Sequence, residues 1–223
     1  MLYVIATPLG NLGDITLRAL EVLRTVDVVA CEDTRRTRIL LTHYEIDKPL
    51  LSYYEHNKVA RGAHLIELLK KGKRVALVSD SGTPGISDPG FQLVRSALEN
   101  QIAVVPLPGP SALTAAVSAS GMPADRFVFE GFLPLKKGAR KKRLELLRSL
   151  ERTIVIYESP YRIEKLLKEV YEVFGNVEIA LAREMTKRFE EIKKIYIADL
   201  IDRRVAFEAR GEFVLVINAK IRI

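Results

Sequence analysis

The stretch Val75-Ala76-Leu77-Val78-Ser79-Asp80-Ser81-Gly82-Thr83-Pro84-Gly85-Ile86-Ser87-Asp88-Pro89-Gly90 decides how this chain folds. Val75 to Val78 form the short continuous apolar run of a strand buried on both faces. The run breaks at Asp80 into Ser, Gly, Thr, Pro and Asp, and a helical pattern follows over Phe91–Gln101. Strand-to-helix connections in α/β proteins usually take about 2–6 residues. Asp80–Gly90 is longer and rich in tight-turn residues. Long loops at the carboxyl ends of strands are where α/β proteins bind ligands.

Working outward, strands and helices alternate along the whole chain. Strands are expected at Leu2–Ala6, Val26–Cys31, Leu50–Tyr53, Arg74–Ser79 and Ile102–Leu107. Asp14 is expected to cap a helix with Ile15, Leu17, Ala19, Leu20 and Leu23 on its apolar face. Thr37–His43 and Lys58–Lys71 read as further helices, and Pro110–Ser120 as a helix of small residues. In the second half, strands are expected at Phe127–Gly131, Thr153–Glu158, Val177–Arg183, Ile192–Ile197 and Glu212–Ala219. Helices fall at Ala139–Leu150 and Tyr161–Phe174. This is the pattern of an α/β fold with helix-covered sheets. Pro108, Pro110, Gly121 and Pro123 punctuate the middle, so two α/β domains are expected, 1–113 and 120–223, with an interdomain cleft.

The 223 residues suffice for a real core, and 48% hydrophobic with 28% charged residues is ordinary for a globular chain. The longest apolar runs are far short of the roughly 20 residues of a membrane helix. The N-terminus enters a strand pattern directly, without the features of a signal peptide. The single cysteine, Cys31, lies in an apolar run and excludes an internal disulfide framework or a cysteine zinc site. These features point to a cytoplasmic protein that does not engage a membrane. The net charge of +7 is concentrated: Lys136 to Arg148 holds seven basic residues and one acidic. Such a patch suits a polyanion.

Standard motifs are missing. Gly85 and Gly90 have P-loop spacing, but Phe91-Gln92 follow where Lys-Ser or Lys-Thr belongs. Gly10-Asn11-Leu12-Gly13 is not a Rossmann fingerprint. His43, His56 and His64 are scattered, and no metal site is expected. What remains is six polar loops after strands: Thr7–Asp14, Glu32–Thr37, Asp80–Gly90, Pro106–Ala112, Glu158–Arg162 and Arg183–Lys187. In a parallel sheet such loops share one edge, where their groups converge on one crevice.

At these residues the chain resembles the tetrapyrrole methylase superfamily. Within it, the chain is similar to the branch of bacterial small-subunit ribosomal RNA (cytidine-2′-O)-methyltransferases. The matching runs are TPLGNLGDIT (7–16), EDTR (32–35), SDSGTPGISDPG (79–90), PLPGPSA (106–112), EGFLP (130–134), YESPYR (157–162), AREMTK (182–187) and RGE (210–212). They occur in order and span nearly the whole chain. The resemblance implies two α/β domains, a homodimer, and S-adenosyl-L-methionine bound folded in the cleft without a Rossmann glycine motif. It implies cofactor contacts at Pro8, Asp80, Ser81, Gly82, Thr83, Ile86, Ser111, Ala112, Glu158, Met185 and Gly211. Members of the rRNA branch often carry a C-terminal helical extension, whereas this chain stops at Ile223. The basic segment is the candidate to replace its RNA contacts.

The implied reaction is in-line attack of a cytidine ribose 2′-oxygen in the decoding region of 16S ribosomal RNA on the sulfonium methyl. A weakly acidic hydroxyl needs a base or an ordered water, and Glu32, Asp33, Glu158 and Glu184 are the candidates. Arg35, Arg162 and Arg183 are candidate phosphate ligands, with Lys136, Lys137, Arg140, Lys141, Lys142 and Arg143 as the basic RNA surface. Reading a splayed-out nucleotide and its 2′-hydroxyl fits RNA rather than DNA. The small ribosomal subunit is the expected partner. Methylation of a tetrapyrrole or other small molecule, and a non-catalytic RNA-binding assembly role, stay open as alternatives.

Overall fold

The computed structural model describes residues 1–219, and the end of the expected second domain, 220–223, lies outside them. The chain divides into two compact units, Met1–Ser111 and Ala112–Ile223. The small-residue helix α5 (Ala112–Ala119) falls wholly in the second unit, because it packs on that unit's last strand.

The first unit is a five-stranded parallel sheet in the order β3-β2-β4-β1-β5. Its strands are β1 (Leu2–Ile5), β2 (Val28–Cys31), β3 (Leu50–Ser52), β4 (Val75–Val78) and β5 (Val104–Leu107). Every residue of β2 and β4 is buried, as their unbroken apolar runs require in central parallel strands. Pro106, which lacks a backbone donor, is accommodated on the edge strand β5. Cys31 is fully buried as a small apolar side chain.

Right-handed crossovers place helices by the direction of each move along the sheet. The connections from β1 to β2 and from β2 to β3 run one way. They carry α1 (Leu17–Thr25) and α2 (Thr34–His43), whose Leu20, Leu23, Leu40 and Leu41 pack on one face with Ile5 and Val29. The connections to β4 and β5 run the other way. They carry α3 (Lys58–Lys70) and α4 (Phe91–Glu99), whose Leu65, Leu69, Leu93 and Ala97 pack on the opposite face with Leu2 and Leu77. The direction reverses between the neighbours β1 and β4, and the crevice beyond the carboxyl ends of such a pair is where doubly wound sheets bind ligands.

Two helix starts differ from expectation. Thr16, not Asp14, caps α1, its Oγ1 accepting from Ala19 N at 3.1 Å; Asp14 ends a 3-10 turn that Asn11 caps. Helix α2 begins at Thr34, three residues early, because the Asp33 side chain accepts from Arg35 N at 2.8 Å.

The second unit is also five-stranded, in the order β6-β7-β10-β8-β9. Its strands are β6 (Phe127–Phe132), β7 (Thr153–Glu158), β8 (Glu178–Arg183), β9 (Glu191–Tyr196) and β10 (Phe213–Asn218). Unlike the first, this sheet is mixed. The β8–β9 connection is a hairpin loop, and β10 enters the centre antiparallel to both β7 and β8. Strands β7 and β8 therefore still run the same way, and the loops after them share an edge with the start of β10. Helices α6 (Lys137–Arg148) and α7 (Ile163–Phe174) cover one face through Leu144, Leu147, Ile163, Leu166 and Val170. A short helix α8 (Ile197–Ile201), absent from the expectation, follows β9 directly.

Arg140 is only 3% exposed, which removes it from the expected RNA surface. Its guanidinium forms a two-pronged pair with the buried Glu169 of α7 and donates to the carbonyls of Pro134 and Leu135 at 3.2 and 3.0 Å. Arg140→Met or Glu169→Gln alone should cost about 3–5 kcal/mol of stability, since each leaves a buried charge uncompensated. The double variant R140M/E169L should recover part of that loss, and urea unfolding followed by circular dichroism measures both. The Arg140 guanidinium holds the Glu169 carboxyl below its ordinary 4.5 against the opposing effect of burial. Its contribution is therefore present above about pH 4.5 and is lost as pH falls through the folded-state value.

Candidate active site

The loops after β1 and β4 are stitched together across the switch point. Thr7 N donates to Gly82 O and Gly82 N to Thr7 O, both at 2.9 Å. Thr7 Oγ1 donates to Ser79 O at 2.9 Å, and Ser79 Oγ donates to Gly82 O at 3.1 Å. Gly82 has φ +83, a left-handed conformation that favours glycine, and an added Cβ would lie 3.2 Å from the Leu9 side chain. Ser81 Oγ donates to Leu9 O at 3.4 Å and Thr83 Oγ1 to Pro110 O at 3.1 Å, tying in the loop after β5. At that loop, a Cβ on Gly109 would lie 3.0 Å from Ala6 Cβ. The three loops are thus one interlocked backbone structure, with Ser111 at its end and Ile86 partly exposed.

A cavity of about 200 Å³ opens beside this stitch, lined among others by Thr7, Pro8, Leu12, Arg36, Leu40 and Asp80. Asp80 organises its polar wall. Its Oδ1 accepts from Asp33 N at 2.9 Å, which binds the β4 loop to the start of α2, and its Oδ2 lies 3.7 Å from Arg36 Nε. Glu32, Asp33 and Asp80 therefore cluster with Arg35 and Arg36. Arg36 is a site residue that sequence reading missed. Placing the start of α2 at Thr37 left it in a loop, whereas the Asp33 cap puts it in the first helical turn.

The candidate carboxylates differ sharply in environment. Asp33 caps α2 and is gripped by Arg35 Nε and Nη2 at 3.1 and 2.7 Å, which holds its pKa at about 2. Glu32 forms no hydrogen bond or ion pair among the described residues. Burial pushes its carboxyl above the usual range, and the negative charges of Asp80 and Asp33 add to this against the pull of Arg36.

In the second unit, Glu158 lies at the end of β7 with its side chain 1% exposed. It accepts from Ser159 N and Arg162 Nε, both at 2.7 Å. Arg183, at the end of β8, faces Glu191 at 3.7 Å and Glu208 at 3.3 Å. Glu184 closes over Gly211, where an added Cβ would sit 2.3 Å from its side chain. Its Oε1 accepts from Lys187 Nζ at 2.8 Å and from Glu212 N at 3.0 Å. Burial alone would raise the Glu184 carboxyl, but these donors outweigh it and hold it below the usual range. Met185 is buried beside this lock. Glu158 and Glu184 are thus both occupied by internal partners, as are Arg162 and Arg183.

Of the basic segment, Lys136, Lys137, Lys141 and Lys142 make no ion pair among the described residues. Arg143 is bound two-pronged to Glu130 at 2.6 and 2.7 Å. Among the described residues no group of three metal-ligating side chains could hold a metal ion, and no helix is long and apolar enough to cross a membrane.

The family model described as tetrapyrrole (corrin/porphyrin) methylases matches residues 1–201. A Thermotoga maritima protein named ribosomal RNA small subunit methyltransferase I is 46% identical over 219 residues, covering 98% of this chain and 98% of its own. The Mesorhizobium japonicum protein of the same name is 48% identical over 219 residues, 97% of this chain and 74% of its own. Among solved structures, diphthine synthase superposes with a TM-score of 0.76 at 17% identity, covering 97% of this chain and 89% of its own. Uroporphyrin-III C-methyltransferase from Thermus thermophilus, complexed with S-adenosyl homocysteine, superposes with a TM-score of 0.67 at 16% identity, covering 98% and 97%. The structures share the fold, and the sequence matches fix the lineage: this chain belongs to the tetrapyrrole (corrin/porphyrin) methylase family.

Proposed function

We propose that this protein transfers a methyl group from S-adenosyl-L-methionine to the 2′-oxygen of a cytidine ribose in the decoding region of 16S ribosomal RNA. The observation that carries this reading is near full-length identity, at 46–48%, to proteins each named ribosomal RNA small subunit methyltransferase I. The small ribosomal subunit is then the partner, the cytoplasm the compartment and a homodimer the working assembly.

The first unit's cavity suits one end of such a cofactor. At about 200 Å³ it is smaller than the roughly 300–1,000 Å³ that encloses a drug-sized ligand, so it takes one arm and not the whole molecule. Pro8, Leu12 and Leu40 supply apolar walls, and the Asp80 carboxylate that lines the cavity would accept from an ammonium group. The backbone of Ser81, Gly82, Thr83 and Ile86 would hold the methionine part, in a loop kept rigid by the Thr7–Gly82 stitch. The bound cofactor supplies an electrophilic methyl group on a sulfonium. The chain's own contribution is alignment and removal of the hydroxyl proton. Glu32 is the base on this reading, because it alone of the four candidate acids has no internal partner among the described residues and its raised pKa strengthens it as a proton acceptor.

Labelled S-adenosyl-L-methionine incubated with small subunits should mark one decoding-region cytidine ribose; a folded, cofactor-binding protein that leaves it unmarked would overturn the proposal. Glu32→Gln should lower kcat by about 10²–10⁴ while calorimetric cofactor binding stays intact. Activity should fall as pH drops through the raised Glu32 value, since only the ionised carboxylate accepts a proton. Removing the neighbouring negative charge in Asp80→Asn should move that acid limb to lower pH, alongside weaker cofactor binding. A limb that stays in place argues for a different base.

A further inference from the structure

We propose that the carboxyl edge of the second sheet is a stacking platform for single-stranded RNA, with Tyr161, Phe132 and Phe189 as the rings on which bases lie. This rests on the RNA reading above and names which residues receive the strand.

Among the described residues, four aromatic side chains are more than half exposed: Phe91, Phe132, Tyr161 and Phe189. Single exposed apolar residues are ordinary, but a cluster marks an interaction site. Three of these four sit at one edge of one sheet. Phe132 (55% exposed) ends β6 and is in register with Tyr157, their rings 5.9 Å apart. The next residue of β7, Glu158, is in register with Phe213 of β10, which is in register with Arg183 of β8. One row thus runs across four strands, roughly 15 Å at the usual strand spacing. Tyr161 (95% exposed) lies three residues beyond Glu158, so the chain keeps it within roughly 11 Å of that row. Phe189 (65% exposed) lies two residues before Glu191, which is in register with Arg183.

Basic residues lie next to the rings in sequence. The Arg188 guanidinium stands 5.6 Å from the Phe189 ring centre, Arg162, itself paired with Glu158, follows Tyr161, and Lys136 and Lys137, which make no ion pair among the described residues, follow the strand that ends in Phe132. Exposed rings interleaved with positive charge match single-stranded RNA, whose splayed bases stack on aromatic faces while its phosphates meet Lys and Arg. An apolar protein partner would not call for the surrounding charge, and duplex RNA offers no free base faces. Each of the three rings is more exposed than buried.

The test uses the full chain and a fluorescent single-stranded RNA of about ten nucleotides, read by anisotropy over a salt series. Tyr161→Ala and Phe189→Ala should each weaken binding about five- to a hundredfold without changing the slope of log affinity against log salt. Tyr161→Phe should restore it, because the ring stacks and the hydroxyl does not. Replacing Lys136 and Lys137 by Gln should instead lower that slope. Unchanged cofactor calorimetry shows that the variants are folded. Failure of the unaltered protein to bind the oligonucleotide, or alanine variants that bind within about twofold of it, overturns the proposal. So does a loss confined to intact subunits with oligonucleotide binding unchanged, which would mean a ribosomal protein docks there. A protein that binds through these rings yet labels no subunit leaves the platform standing and removes the methylation reading; labelling indifferent to the rings does the reverse.

Discussion

The reciprocal hydrogen bonds between Thr7 and Gly82 are the constraint on which the first unit's chemistry depends. A doubly wound sheet separates the loops of its two switch-point strands onto opposite faces, because the helices that follow them cover opposite faces. Here one backbone bridge pulls those loops back together. Thr7 Oγ1 and Ser79 Oγ reinforce the bridge from each side, and Gly82 turns where a side chain would collide with Leu9. The bridge fixes the Asp80 backbone two residues away. Asp80 in turn receives the Asp33 amide and so sets the first turn of α2 and the position of Glu32. A bond between two loops thereby positions a carboxylate on a third.

Burial, pairing with donors and like-charge crowding together make the four candidate acids inequivalent. Three carboxylates share the space around the start of α2. Two are neutralised locally, Asp33 by its cap and Arg35, Asp80 by an amide and Arg36. Glu32 has no donor of its own, and burial first, then the negative charges of Asp80 and Asp33, raise its proton affinity. In the second unit Glu158 and Glu184 each accept from backbone and side-chain donors at once, and at Glu184 these donors outweigh burial and favour the ionised form.

The strands and the loops after them were legible in the sequence because they depend on local pattern: unbroken apolar runs for β2 and β4, and turn residues after them. The partners of the charged residues were not, because they depend on which elements become neighbours. Nothing local to Arg140 says that Glu169, a helix away, will bury it. Nothing local to Arg36 shows it facing Asp80 until the Asp33 cap is seen to start α2 early. The mixed second sheet escaped for a related reason. Strand β10 reads as a closing strand in sequence order, and only long-range pairing inserts it between β7 and β8. The glycine at 211 could have been a clue: a left-handed residue before that strand lets Glu184 cover it.

Burial and pairing also change what the basic segment does. Its charge count suggested a mixed Arg and Lys surface. With Arg140 internal, Arg143 held by Glu130 and Arg148 donating to Val173 O, the cations of the segment without a hydrogen-bond or ion-pair partner among the described residues are lysines. A lysine ammonium is a strongly hydrated point charge on a flexible stem, whereas arginine presents a planar fork that fixes geometry. Lysines of this kind attract and hold a phosphate backbone but carry little information about sequence or register. On the RNA reading, discrimination of one nucleotide must therefore come from groups with fixed orientation. The Arg162 guanidinium held by Glu158 at the carboxyl edge of the second sheet, and the hydrogen-bonded Asp33 and Asp80 carboxylates at that of the first, have such fixity.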